Sequence, residues 1–310
     1  MPDRYDTDYK IGQDNIRTWG MDLHNPVFII SALLVLVFVI GTVMFPTGAK
    51  ETFDSSKAWS IDNFDWFFLV AGNAFVLFCV ALIFLPVGKI RLGGVDARPE
   101  FSNLSWFAML FAAGMGIGLM FWSVAEPAAY FTDWWGTPLK VEKHTAAGAE
   151  LAMGATMFHW CMHPWAIYAV VALSLAFFTY NKGLPLTIRS AFFPFIGDRA
   201  WGWFGHIIDI VAVMATIFGL ATSLGFGAQQ AAGGLKYLFD IPNTINVQIG
   251  IIIGVTAVAI ISVVRGLDGG VKLLSNINMA LALILLSFVI VIGQGLGIFA
   301  GIFDTTAAYV

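Results

Sequence analysis

The sequence predicts an all-α polytopic membrane protein. Seven long runs carry no charged residue: Pro26–Phe45, Trp66–Gly88, Phe101–Ala125, Leu151–Asn181, Ile210–Leu235, Ile241–Val264 and Leu273–Phe303. Each reaches the ~20 residues that cross a bilayer as a helix. The chain is 58% hydrophobic and only 12% charged, a balance that excludes a soluble domain of this length. From the third run onward Gly, Ser, Thr, Trp and His enter the spans, which marks helix contact and cavity lining.

Taken in order, residues 1–25 form a polar tail before the first span. That run is too long for the apolar part of a signal peptide. Runs one and two are rich in Val, Leu and Phe and read as lipid-facing helices. Residues 182–206 read either as an interfacial amphipathic element or as a loop with aromatic anchors. Residues 265–272 read as a short cytoplasmic turn. The last run exceeds one straight span, so its end is expected to turn along the membrane surface. Eleven of the 16 Lys and Arg residues fall on the side of the tail, which predicts a cytoplasmic N-terminus. Cys79 and Cys161 both lie in apolar runs and read as small buried side chains, with neither disulfide nor metal spacing. No nucleophile–base arrangement, GxSxG or basic cluster stands out, so neither an enzyme nor a nucleic-acid partner is expected.

Three constellations carry the chemistry. In FAAGMGIGLMFWSVAEP, Gly114, Gly116 and Gly118 alternate at mid-span. Each costs a helix roughly 1 kcal/mol relative to alanine. Helix packing favours glycines four apart, whereas this spacing puts them all round the helix, so local unwinding that lines a cavity is expected. Glu126 follows, either inside the protein or at a solvated helix end before Pro127.

In MFHWCMHPWAIY, Trp160, Trp165 and Tyr168 cluster, and Trp165 and Tyr168 share a face. Pro164 cannot donate to the Trp160 carbonyl and should kink the helix. Converging aromatic faces hold quaternary ammonium groups by cation–π attraction; a packed aromatic stripe is the alternative. His159 and His163 are placed four apart on one helix face, with interhelical hydrogen bonding their expected role. In ATIFGLATSLGFGAQQ, Thr216, Leu220 and Ser223 share a face. Hydroxyls there either ligate a hard cation or bond the i−4 carbonyl. Asp209 reads as an interfacial charge.

In this order and spacing, GMGIGLMFWSVAEP, MFHWCMHPWAIY and TSLGFGAQQ resemble the betaine/choline/carnitine transporter family, and the likeness runs through essentially the whole chain. The resemblance implies a leucine-transporter-type fold of two inverted five-helix repeats preceded by two additional helices. The tail would then be residues 1–25, the additional helices 26–100 and the first repeat 101–300, with 301–310 a truncated end before a second repeat. It implies secondary uptake of a trimethylammonium compatible solute across the cell inner membrane, powered by sodium, with no cofactor beyond that coupling ion. Trp160, Trp165 and Tyr168 would face the trimethylammonium group, beside the backbone of Met115, Gly116 and Gly118. The carbonyls of Ala112 and Met115 would help hold one sodium ion, and Thr216 a second. Sodium-coupled members carry another threonine where this chain has Leu220. Choline-preferring members carry an acid where this chain has Gly118, so a zwitterion such as glycine betaine is favoured. Family members often form trimers. The alternatives are a proton-coupled or exchange-type choline/carnitine transporter, and a non-transporting membrane sensor or half-protein.

Overall fold

The computed structural model describes residues 4–114, 116–293 and 295–309. Among them, six helices are long and apolar enough to cross a membrane, or seven when one bent pair counts as a single span. That matches the seven uncharged runs. The chain forms two compact units, 1–98 with 166–219 and 99–165 with 220–310.

In the first unit the polar tail holds a structured element. Strands β1 (Asn15–Thr18) and β2 (Met21–His24) pair antiparallel, with Asn15 opposite His24 and Thr18 opposite Met21. Trp19 and Gly20 make the two-residue turn, both at positive φ, as the right-handed strand twist requires. Helix α1 (Val27–Met44) follows the first run closely.

Helix α2 (Pro46–Phe84) departs from expectation. Its apolar half was foreseen, but the helix starts 20 residues earlier, at a proline whose fixed φ suits the first turn. Its 39 residues give about 58 Å, near twice the ~30 Å hydrocarbon thickness. Charges from Lys50 to Asp65 interrupt the apolar run without interrupting the helix, and Lys50 pairs with Asp54 one turn on at 2.6 Å.

In the second unit α3 (Asn103–Gly114) and α4 (Ile117–Phe131) are bent by 55°. Gly116 is extended there (φ −107, ψ −160), so the unwinding expected at the glycines is present. Helix α5 (Ala146–Trp160) starts on Thr145, whose hydroxyl oxygen accepts from the Gly148 amide at 3.0 Å. It stops at Cys161 (ψ −121), and α6 (Met162–Ala176) restarts beyond. The kink expected from Pro164 is there, because proline offers no amide to the Trp160 carbonyl. Since Cys161 leaves the helical conformation, His159 and His163 do not share one helix face, contrary to the sequence reading.

Of the 182–206 segment, residues 182–202 are compact, and Phe195, Trp203 and Phe204 of the segment stay exposed. Residues 182–202 fold as short turns around α7 (Phe193–Ile196). Leu184, Phe193 and Ala200 make a small core with Tyr5 and Trp201, so these aromatics face inward. Helix α8 (Trp203–Phe239) begins in the first unit and continues into the second. Helix α9 (Ile245–Val264) ends at a turn where Gly266 has φ +74, a conformation that favours glycine. Helix α10 (Lys272–Ile292) breaks at Gly293, as its run length required. The remainder, α11 (Gly295–Tyr309), packs on α5. A Cβ at Gly154 would meet the Ala308 carbonyl oxygen at 2.8 Å, so glycine permits that approach.

Candidate functional site

The site in the second unit is built on the break between α3 and α4. Trp165, at the start of α6, lays its indole against Gly114, where any Cβ would overlap the ring. Trp160, at the end of α5, lies over Gly118, whose Cβ would meet its Cη2 at 3.4 Å. Gly114 is therefore a seat for the Trp165 ring, while Gly118 lies at van der Waals distance from Trp160. Gly116 differs: a side chain there would meet open space. It sits in the extended step itself, where backbone amide and carbonyl are released from the helix.

Glu126 resolves the two readings left open for it. It is fully buried on α4 and accepts hydrogen bonds from α5. Trp160 Nε1–H donates to Oε2 at 2.7 Å. His159 Nδ1, protonated, donates to the two carboxylate oxygens at 2.8 and 3.0 Å. Interhelical bonding was the role expected for the histidines, and His163 also has it: its Nδ1 lies 3.1 Å from the Tyr309 hydroxyl of α11.

Other expected site residues are distributed as follows. Tyr168 follows Trp165 by three residues on α6 and belongs to the first unit. Met115 lies outside the described residues. Ala112 is in the last turn of α3, where carbonyls lack an intrahelical partner. Thr216 belongs to the first unit; its hydroxyl donates to the Ala212 carbonyl at 2.8 Å. With His24, Thr187 and Asp209 it lines a cavity of about 410 Å³. Among the described residues, no three His, Cys, Asp or Glu side chains group as a metal site. Cys79 and Cys161 are free thiols, and Cys79 Sγ contacts the Ala166 carbonyl at 3.8 Å.

The sequence reading missed a second polar cluster, around Arg189. This side chain is 1% exposed. Its Nε lies 3.1 Å from Asp209 Oδ2, so Asp209 is the counter-ion of a buried cation rather than an interfacial charge. Its Nη2 donates to the Tyr9 hydroxyl at 2.9 Å and to His24 Nε2 at 3.1 Å. Its Nη1 lies 3.4 Å from His206 Nδ1. Tyr9 stacks on Trp201 at 4.4 Å, and Trp201 Nε1–H donates to Thr7 at 2.8 Å. The tail is thereby fastened to the 182–209 connection. An arginine set among apolar residues in LPLTIRSAFF was the available signal.

A helical membrane protein whose third span is broken at glycines and faced by tryptophans is of the kind that carries small solutes across bilayers. The family comparison makes this specific. Residues 26–310 match the model of the BCCT family, the betaine/carnitine/choline family transporters, and the chain belongs to that family. A glycine betaine/proline/choline/ectoine transporter of Vibrio parahaemolyticus is 57% identical over 307 residues, covering 98% of this chain and 54% of that protein. Glycine betaine transporter 1 of the same organism is 59% identical over 305 residues, covering 98% and 58%. The glycine betaine transporter OpuD of Bacillus subtilis is 47% identical over 221 residues, covering 71% and 43%. The chain thus spans about half the length of these curated relatives. The family so described is one of transporters.

Proposed function

We propose that the protein takes up a glycine betaine-like zwitterion, held by its trimethylammonium group on Trp160, Trp165 and Tyr168. The observation that carries this reading is the approach of two indoles to glycines of a broken membrane helix. Each desolvated ring contributes about 2 kcal/mol toward a quaternary ammonium ion. The open space at Gly116 leaves room for the rest of the solute, beside Met115 and Gly118. The names of the three relatives described above, each including glycine betaine, support the same substrate class.

Sodium is the coupling ion of this proposal and travels as a co-substrate. The helix-end carbonyl of Ala112, with that of Met115, supplies hard oxygen ligands for one ion, and the Thr216 hydroxyl for a second. The layout is two additional helices over 26–100 and a first inverted repeat over 101–300, in the inner membrane, N-terminus cytoplasmic, as a homotrimer. A second reading, proton coupling or exchange, draws on Leu220, which removes a hydroxyl from the face of Thr216.

Uptake of labelled glycine betaine by the full-length protein, in cells lacking other betaine carriers, tests both readings. Uptake with external sodium and not with potassium is expected. Equal uptake in both would replace sodium coupling by the second reading, and none in either would overturn the substrate class.

A further inference from the structure

We propose that Glu126 is a positioning residue for the aromatic site: it holds the Trp160 indole by its ring N–H and so fixes the face offered to a quaternary ammonium group. The inference rests on the betaine-type reading above and adds a residue outside the cage.

A carboxylate with 0% exposure inside a membrane span is costly, and partners must compensate it. Here both partners come from α5 and both act on the ring end of that helix. Indole has a single donor, at its edge. A carboxylate bonded there restrains rotation of the ring without itself occupying either face. Helix α4 then meets Trp160 at two points, with Gly118 near Cη2 and Cζ3 at the far end of the ring and Glu126 at Nε1. The Glu side chain can reach back because Cα–Cβ bonds tilt toward the helix N-terminus. An anionic acceptor also pushes electron density into the indole, the direction that strengthens attraction for a cation. His159 bridges both carboxylate oxygens and limits the rotation of Glu126 itself.

The test is the concentration dependence of glycine betaine uptake by the full-length protein, corrected for the amount in the membrane. Glu126→Ala is expected to raise KM about tenfold, and Glu126→Asp, which keeps the charge but withdraws it by one methylene, about fivefold, as loss of a charge-assisted bond implies. Trp160→Phe keeps an aromatic face and lacks the N–H. In that background each Glu126 variant should change KM by less than about twofold, because the two residues act as one unit. Glu126→Asp reads the same coupling if Glu126→Ala does not fold. Unchanged KM in the Glu126 variants, or effects that multiply with Trp160→Phe, would overturn the inference. If Trp160→Ala and Trp165→Ala raise KM while Glu126 variants do not, only the positioning role fails. If the tryptophan variants are also neutral, the cage reading fails with it.

Discussion

Arg189 in the first unit is 1% exposed and Glu126 in the second 0%, and the surroundings of these two buried charges differ in kind. Arg189 is enclosed by a counter-ion, a phenol, two imidazoles and two aromatic faces drawn from the tail, the 182–202 connection and α8. Its Nη1 and Nη2 are bonded to protein groups on different sides and its Nε lies at ion-pair distance from Asp209, as a structural tie requires. Glu126 is bonded by two neighbouring side chains of α5, each through a ring-edge nitrogen that leaves the ring faces outside the bond. One network closes on itself and fastens the chain. The other holds aromatic groups at the edge of a broken helix. Burial of a charge alone therefore does not mark a binding site; what its partners still have to offer does.

Arg189→Ala should show the largest effect. Removing one member of a buried ion pair costs about 3–5 kcal/mol, so a marked loss of thermal stability in detergent is expected. Arg189→Lys should not rescue it, because a point charge cannot serve partners on several sides. Wild-type melting of either variant would erase the contrast. Next in size is Gly114→Ala, whose methyl overlaps the Trp165 ring. Overpacking of about 1–3 kcal/mol should lower the melting temperature and strongly reduce betaine uptake, whereas Gly116→Ala, with open space at its Cβ, should melt as the wild type does. Equal effects would mean that indole seating is not why glycine stands at 114.

Smaller, and confined to specificity, is Gly118→Asp. A carboxylate beside Trp160 should raise choline uptake relative to glycine betaine, since choline lacks an acid of its own. An unchanged ratio would remove the role given to Gly118. Smallest is Tyr9→Phe, which deletes one acceptor of Arg189 for a cost of about 1 kcal/mol. Burial pushes the Tyr9 phenol above its ordinary value, against the opposing pull of Arg189. A phenol that ionises more readily unfolded than folded withdraws stability as pH rises above about 10. Wild-type protein should therefore lose stability on the alkaline side more steeply than Tyr9→Phe, measured as melting temperature against pH.

Sequence reasoning reached some of these features and not others for identifiable reasons. The spans, the glycine break and the kink at Pro164 depend on local backbone chemistry, and each is written within a few residues. The first half of α2 was hidden because charge ends an apolar run long before it ends a helix. His159 and His163 were assigned to one face because their spacing assumes an unbroken helix, and Cys161 breaks it. Glu126 remained open between two readings, since its donors lie 33 and 34 residues away. The Arg189 cluster was invisible for the same reason more strongly: Tyr9 is 180 residues from it, and no local pattern encodes that meeting.

The most direct test of the aromatic site is glycine betaine uptake by Trp165→Ala in the full-length protein, with membrane content and melting temperature measured alongside. The structure and the proposed function together predict wild-type abundance and melting with KM raised roughly 30-fold, the equivalent of one ring's ~2 kcal/mol. A wild-type KM in a folded Trp165→Ala protein would contradict the claim that this face meets the substrate.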